Sequence, residues 1–209
     1  AQNPMTDSPC PWEVPDTRSY PDMNYLLTEG AMSRYVLAAH YVRDCHSVVE
    51  IGGFKTPITR FLTRVPAHVL VVDPLIQPYT ATTLNGEPCQ VEHRAAAFQS
   101  ESFDVRAGTY GMVLLGASMK HFSDEPTQRR QEWVKLIGLL RNARVAVLEF
   151  AVEWGLGRNN VESLVDGASM DLRVQLDIDL SRCPGVETEH AHRRLLVLDG
   201  KLAEPSGHG

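Results

Sequence analysis

The sequence lacks a C-x-x-C pair. Its four cysteines, Cys10, Cys45, Cys89 and Cys183, are scattered. That spacing excludes a zinc ribbon and argues against a disulfide framework; it is the usage expected of a reduced, cytoplasmic protein. Long apolar runs are also missing. Stretches such as 69–72 and 112–115 fall far short of the roughly 20 residues that span a bilayer, so no membrane partner is expected. The chain does not open with a basic start and an apolar run, so no secretory leader is expected. Basic clusters are absent too. Arg129-Arg130 and Arg193-Arg194 are pairs in mixed segments, and the formal net charge is −6. Nucleic acid is therefore not an expected partner, because phosphate affinity comes from clustered Lys and Arg. There is no G-x-x-x-x-G-K-[ST] loop, which removes the P-loop NTPases. No internal repeat occurs, which removes the solenoids.

What remains is an ordinary globular composition, 43% hydrophobic and 22% charged, on 209 residues. That length suits one domain. Residues 1–23 hold Pro4, Pro9, Pro11, Pro15 and Pro21, a density that blocks regular helix and predicts an extended arm. Residues 24–209 are expected to form the domain proper. Its first helix, over 25–42, carries Leu26, Leu27, Met32, Tyr35, Val36 and Ala39 near helical spacing.

From residue 46 the pattern alternates. Strands are expected over 46–51, 68–72, 90–97, 110–115 and 144–150. Helices are expected over 57–65, 127–142 and 161–168. Continuous apolar strands separated by helices predict a parallel sheet covered on both faces. Two last strands, over 172–180 and 190–199, have no helix between them and should form an antiparallel hairpin. The predicted fold is α/β: a Rossmann-like three-layer sandwich with a seven-stranded, mostly parallel sheet.

The chemistry gathers at the end of the first strand. Val48-Val49-Glu50-Ile51 runs into Gly52-Gly53, and glycines there let the backbone approach a ligand at the carboxyl end of a strand. The next apolar strand ends in Asp73-Pro74. A carboxylate at that place can accept both hydroxyls of a ribose in charge-assisted hydrogen bonds. A dinucleotide G-x-G-x-x-G is disfavoured, because the required places after Gly52 hold Phe54 and Pro57.

These residues resemble the class I S-adenosylmethionine (SAM)-dependent methyltransferase family. The likeness extends through Tyr110-Gly111-Met112-Val113-Leu114-Leu115-Gly116-Ala117-Ser118-Met119-Lys120-His121-Phe122, a strand, a loop and a His followed by an apolar residue. It covers roughly residues 46–155. The family's second and third glycines fall at Phe54 and Thr56. The resemblance implies SAM as cofactor. It implies a binding site made of Glu50, Gly52, Gly53, Asp73, Pro74, Ala97, Phe98, Gly116 and Ala117, with adenine recognised by backbone groups and stacking near Ala97 and Phe98. It also implies a substrate lid in the helix over 24–42.

The expected activity is O-, N- or S-methylation of a small-molecule acceptor. Where the acceptor atom carries a proton, a general base helps, and His121 is the candidate, with Tyr25 second. Lys55 faces either solvent or the cofactor carboxylate. Glu189, His190 and His192 are half a metal site at most, and a solvated strand edge is the expected reading, so no metal is assigned. A homodimer is left open. Two other readings stand beside this one: a non-catalytic binding or regulatory module, and a SAM-using enzyme of the same fold that does not transfer methyl.

Overall fold

The computed structural model of the chain describes residues 29–53, 57–75, 79–117, 122–152, 158–182 and 191–201. Its frame is set by strands of which the central ones, over 47–51, 68–72 and 145–151, are almost wholly buried. Strands β1 (Ser47–Ile51), β2 (His68–Val72), β5 (Val91–Arg94), β6 (Tyr110–Ala117) and β7 (Val145–Ala151) run parallel. Strand β9 (His192–Gly200) lies antiparallel to β7, and β8 (Met170–Asp179) antiparallel to β9. The order across the sheet is β5-β2-β1-β6-β7-β9-β8. The expected seven-stranded, mostly parallel sheet with an antiparallel hairpin is what forms.

Every residue of β7 is buried, as a central parallel strand requires. Its alternate side chains enter two separate cores. Ala146, Leu148 and Phe150 pack with helix α2 (Pro126–Asn142) and helix α3 (Arg158–Ala168) through Leu136, Leu140 and Leu164. Val145 and Val147 pack with helix α1 (Glu29–Val42) through Tyr35, Ala38, Ala39 and Val42.

The α1 stripe differs from expectation in one place. Val36 is 57% exposed, because the face that meets the sheet is 35, 38, 39 and 42, and Val36 stands about a quarter-turn off it. Ala38 and Val42 are fully buried. The described part of the segment read as a lid is thus a layer of the core.

The helix expected over 57–65 is a single 3₁₀ turn, Ile58–Phe61. Pro66 keeps Val65 out of the α region, and the turn stops earlier still, at Leu62, whose backbone is extended. In an α-helix the Leu62 carbonyl would accept from residue 66, and proline has no N–H to give. That carbonyl accepts instead from Leu84 N–H at 2.8 Å, and Thr63 O accepts from the Asn85 side chain at 3.0 Å. Leu84 and Asn85 sit in the turn of a small hairpin that was not expected, β3 (Ala81–Thr82) with β4 (Pro88–Cys89). Asn85-Gly86 is its turn, with Gly86 at φ +80°. The third parallel strand is correspondingly shorter than 90–97. Helix α2 begins one residue early, at Pro126, because the Glu125 side chain caps it, accepting Thr127 and Gln128 N–H at 2.9 and 2.6 Å.

Candidate functional site

The chain order leaves one crevice. From β1 it goes outward to β2 and β5, then crosses to β6 on the other side of β1. Where an open parallel sheet reverses like this, the carboxyl ends of the two diverging strands part and leave room for a ligand. Gly52 follows β1 at that point and Gly116 lies near the end of β6.

Gly52 and Gly53 have φ of +100° and +87°, two consecutive left-handed conformations that side chains rarely adopt. Gly52 N–H still pairs with Val72 O at 2.9 Å. The loop therefore leaves β1 beside the end of β2, next to Asp73. Glu50, 1% exposed, turns back under the loop. Both its carboxyl oxygens lie 3.0 Å from Ile58 N–H, so it ties the start of the loop to the residue that resumes the chain beyond it. Burial raises its pKa to about 8; the Ile58 N–H opposes the shift and the neighbouring Asp73 charge adds to it.

Asp73 is half-buried, and Pro74 is exposed. Asp73 Oδ1 accepts Leu75 N–H at 2.7 Å, the turn chemistry of an Asp before proline. On the other wall, Gly116 has φ +78° and marks a bulge, because the β6–β7 register shifts between Leu115 and Ala117. Its N–H is lost to the ladder and donates at 2.7 Å to Oε2 of Glu149. A Cβ on Gly116 would meet nothing within 4 Å among the described residues.

Glu149 is itself the centre of a buried ionic group. It is fully buried in β7. Arg34 of α1 donates to Oε2 at 2.6 Å, and Arg193 of β9 lies 3.3 Å from Oε1. Within reach of the Glu50 charge, the Tyr79 ring meets His93 edge-on at 4.5 Å between centroids. Burial, then the Glu50 charge, push the Tyr79 hydroxyl up to about 12, and burial lowers the His93 pKa.

No family model matches the chain, and no curated protein matches it. Solved structures do. The N-methyltransferase NodS from Bradyrhizobium japonicum WM9, in complex with S-adenosylhomocysteine (SAH), superposes with a TM-score of 0.57 at 10% identity, covering 94% of this chain and 94% of that one. The 1,6-didemethyltoxoflavin N1-methyltransferase of Burkholderia thailandensis, with SAH and its substrate bound, gives 0.55 at 14% identity, over 89% of this chain and 85% of that one. The [4+2]-cyclase SpnF gives 0.55 at 9% identity, over 83% and 82%. The chain has the fold of the class I SAM-dependent methyltransferases.

On this methyltransferase fold, Glu50, Gly52, Gly53, Asp73, Pro74 and Gly116 gather at the ends of β1, β2 and β6. Ala117 ends β6, pairing with Phe150. Ala97 and Phe98 follow β5 and are both buried. The Phe98 ring is turned inward, edge-on to Phe122 at 6.0 Å, and packs in the core. Tyr25, Lys55, His121, Glu189 and His190 lie outside the described residues. His192 opens β9 opposite Asp179 and is exposed. Among the described residues no group of three or more His, Cys, Asp or Glu could hold a metal, and no helix is long and apolar enough to cross a membrane.

Three residues of the region were missed from sequence. Glu149 carried a signal, a lone acid inside an otherwise apolar strand, which must be paired if buried. Arg34 and Arg193 carried none, since a long cation on a helix or an outer strand usually reaches solvent.

Proposed function

We propose that the chain binds SAM in the crevice at the carboxyl ends of β1, β2 and β6 and transfers its methyl group to a small-molecule acceptor. One observation carries the reading: two consecutive left-handed glycines, Gly52 and Gly53, sit at the switch point of the sheet, with Asp73 at the adjacent strand end. The groups present fit the cofactor. Asp73 offers a carboxylate to the ribose hydroxyls, Gly52 and Gly53 carry no side chains of their own, and a Cβ on Gly116 would meet nothing among the described residues on the opposite wall. Ala97, Phe98, Pro74 and Ala117 complete the lining. In the NodS structure named above, SAH is bound on this same fold.

When bound, SAM supplies a methyl group already activated on a sulfonium. The protein's part is to hold an acceptor atom in line and keep water away, an ordering that supplies roughly 7–11 kcal/mol of barrier reduction. Glu50 holds the loop and does not touch the acceptor. His121, four residues beyond the end of β6, takes the proton from an O–H or N–H acceptor, and Tyr25 is the second candidate. Residues 1–23 and the start of the 24–42 segment close over the acceptor. The protein acts in the cytoplasm, and a homodimer is compatible with this arrangement.

The test is thermal shift and titration calorimetry with SAM and SAH. Both ligands should stabilise the full-length chain. A chain indifferent to both loses the cofactor reading and becomes a binding module on a methyltransferase fold. A chain that binds both but transfers no methyl to a broad acceptor panel joins the company of SpnF, a cyclase on this fold.

A further inference from the structure

The sheet ends in two edges of different kinds. On one side β5 is four residues long, and its Glu92 and Arg94 pair at 2.7 Å. A short, charged edge discourages further strand pairing. On the other side β8 runs ten residues, with β9 on one flank and no described strand on the other. An edge strand presents a row of unpaired N–H and C=O groups, ready for another strand. Leu172 and Leu176 on β8 are 47% and 40% exposed, so this edge also carries apolar side chains that the fold leaves uncovered.

A bulge divides β8, where its register to β9 shifts between Leu172 and Val174. From Val174 to Asp179 the pairing is regular. Val174 and Ile178 pack against the core on the α1 face, and Leu176, two residues from each, lies on that face too. Gln175 and Asp177 lie on the other face, where Arg194 of β9 holds Asp177 at 2.7 Å. Leu172 is also on that other face, opposite Leu198 of the α2 and α3 core. Val174-Gln175-Leu176-Asp177-Ile178 therefore reads apolar, polar, apolar, polar, apolar in both directions.

We propose that β8 pairs antiparallel with β8 of a second copy of this chain, about a two-fold axis through Leu176. In that register Leu176 meets its own equivalent and Val174 meets Ile178 of the second copy. Gln175 meets Asp177, an amide donor against a carboxylate. Arg173 comes opposite Asp179, so unlike charges close each end of the ladder. Such matches across a strand pair are what stabilise it, and like charges directly opposite weaken it. Other registers fail. A slip of one residue sets the apolar face against the polar one. An axis at Asp177 puts that carboxylate against its own copy. An axis at Gln175 or Val174 sets Leu172 opposite Ile178 or Leu176, which the bulge has placed on the other face. The contact is isologous, as a closed dimer requires. It joins two sheets into one, and it lies three strands beyond β6, so the crevice stays clear in both copies. The pairing does not depend on what the crevice binds.

The test is sedimentation of the full-length chain at micromolar concentrations and above, beside cysteine cross-linking. The wild type should sediment at twice the 23.2 kDa of one chain. Leu176→Asp sets two carboxylates against each other on the axis and should raise the dimer dissociation constant at least about tenfold. For cross-linking, Cys10, Cys89 and Cys183 are replaced by serine, and Cys45 is buried. Leu176→Cys should then close a disulfide between copies under mild oxidation, because residues opposite each other have Cα atoms about 4.5–5.5 Å apart. Leu172→Cys should not, since four residues off the axis its two copies stand roughly 26 Å apart along the strands. If Leu176→Asp fails to fold, the cysteine pair decides alone. A wild type that stays at the mass of one chain overturns the proposal, and any strand added to β8 would then come from a different protein. So does a Leu176→Asp variant that dimerises as the wild type does, or cross-linking at 172 as ready as at 176.

Discussion

Gly53 lies directly over the carboxyl group of Glu50. A Cβ built on Gly53 would fall 2.6 to 2.7 Å from the Glu50 carboxyl atoms, closer than real Cβ contacts come. The second glycine of the loop therefore exists for the acid beneath it as well as for any ligand above it. Glu50 in turn is held by Ile58 N–H across the loop. Acid, glycine and returning backbone form one unit.

Gly53→Ala should therefore cost both stability and SAH affinity. The strained φ of +87° alone costs on the order of 1–3 kcal/mol for a non-glycine residue, and the clash with Glu50 adds to it. Urea unfolding should show a midpoint well below wild type. Gly86→Ala, at φ +80° with nothing near its Cβ, is the control that isolates the backbone part.

Glu50 should make stability fall as pH rises. Its folded pKa, raised to about 8 by burial, lies above its ordinary value, so between about 4.5 and 8 the folded state holds a proton that the unfolded chain has released. The contribution is fully present below the lower limit and lost through the upper one, and its size is on the order of a few kcal/mol. Glu50→Gln cannot titrate. The difference in unfolding free energy between wild type and variant should change across that window and level off above it. A constant difference from pH 5 to 9 would refute the assignment.

Asp73 combines a turn contact with the proposed ribose contact, and two substitutions separate them. Asp73→Asn keeps an oxygen for Leu75 N–H but removes the charge. It should leave stability nearly unchanged and weaken SAM by roughly 1.5–3 kcal/mol. Asp73→Ala should weaken SAM at least as much and cost stability as well. Calorimetry beside unfolding measurements decides, and unchanged SAM affinity in both variants removes Asp73 from the site.

Glu149→Gln keeps an acceptor for Gly116 N–H but removes the charge that two buried guanidinium groups share. Removing one partner of a buried ion pair typically costs about 3–5 kcal/mol, and a loss of that size is expected in urea unfolding. Adding Arg34→Met should recover part of it, because the second change removes one of the stranded charges. Purely additive losses in the double variant would mean that the two residues do not act as a pair.

His121→Ala and His121→Gln should both slow a single turnover by about 10²–10⁴-fold with SAM affinity unchanged. An amide can accept a hydrogen bond but cannot take the proton. The wild-type rate should rise with pH through the ordinary histidine range, since only neutral imidazole accepts a proton. A flat profile, or wild-type rates in both variants, removes His121 from the mechanism.

The parts of this protein legible in its sequence are those governed by near neighbours. Continuous apolar strands such as 69–72 and 145–148, the helical spacing of Leu136 and Leu140, and an acid followed by glycines at 50–53 each announce themselves within a few residues. Periodicity and turn chemistry act at that range, so the alternating order of elements, the parallel sheet and the placing of Glu50, Gly52 and Asp73 at strand ends could be read directly. The 57–65 helix shortened to one turn although its spacing was right: the backbone is extended at Leu62, and the Leu62 carbonyl accepts from Leu84, more than twenty residues later in the chain.

Only tertiary packing could decide the rest. Arg34, Glu149 and Arg193 come from three distant segments, and burial makes them an ionic group; as isolated letters they are two ordinary surface cations and one acid. Val36 fits the apolar stripe of α1 by spacing and still faces solvent, because the angle at which the helix meets the sheet selects 35, 38, 39 and 42. Gly53 looks like room for a ligand until the fold turns Glu50 beneath it. In each case the deciding quantity is the distance between groups far apart in sequence, which the pairing of strands sets and local pattern does not contain.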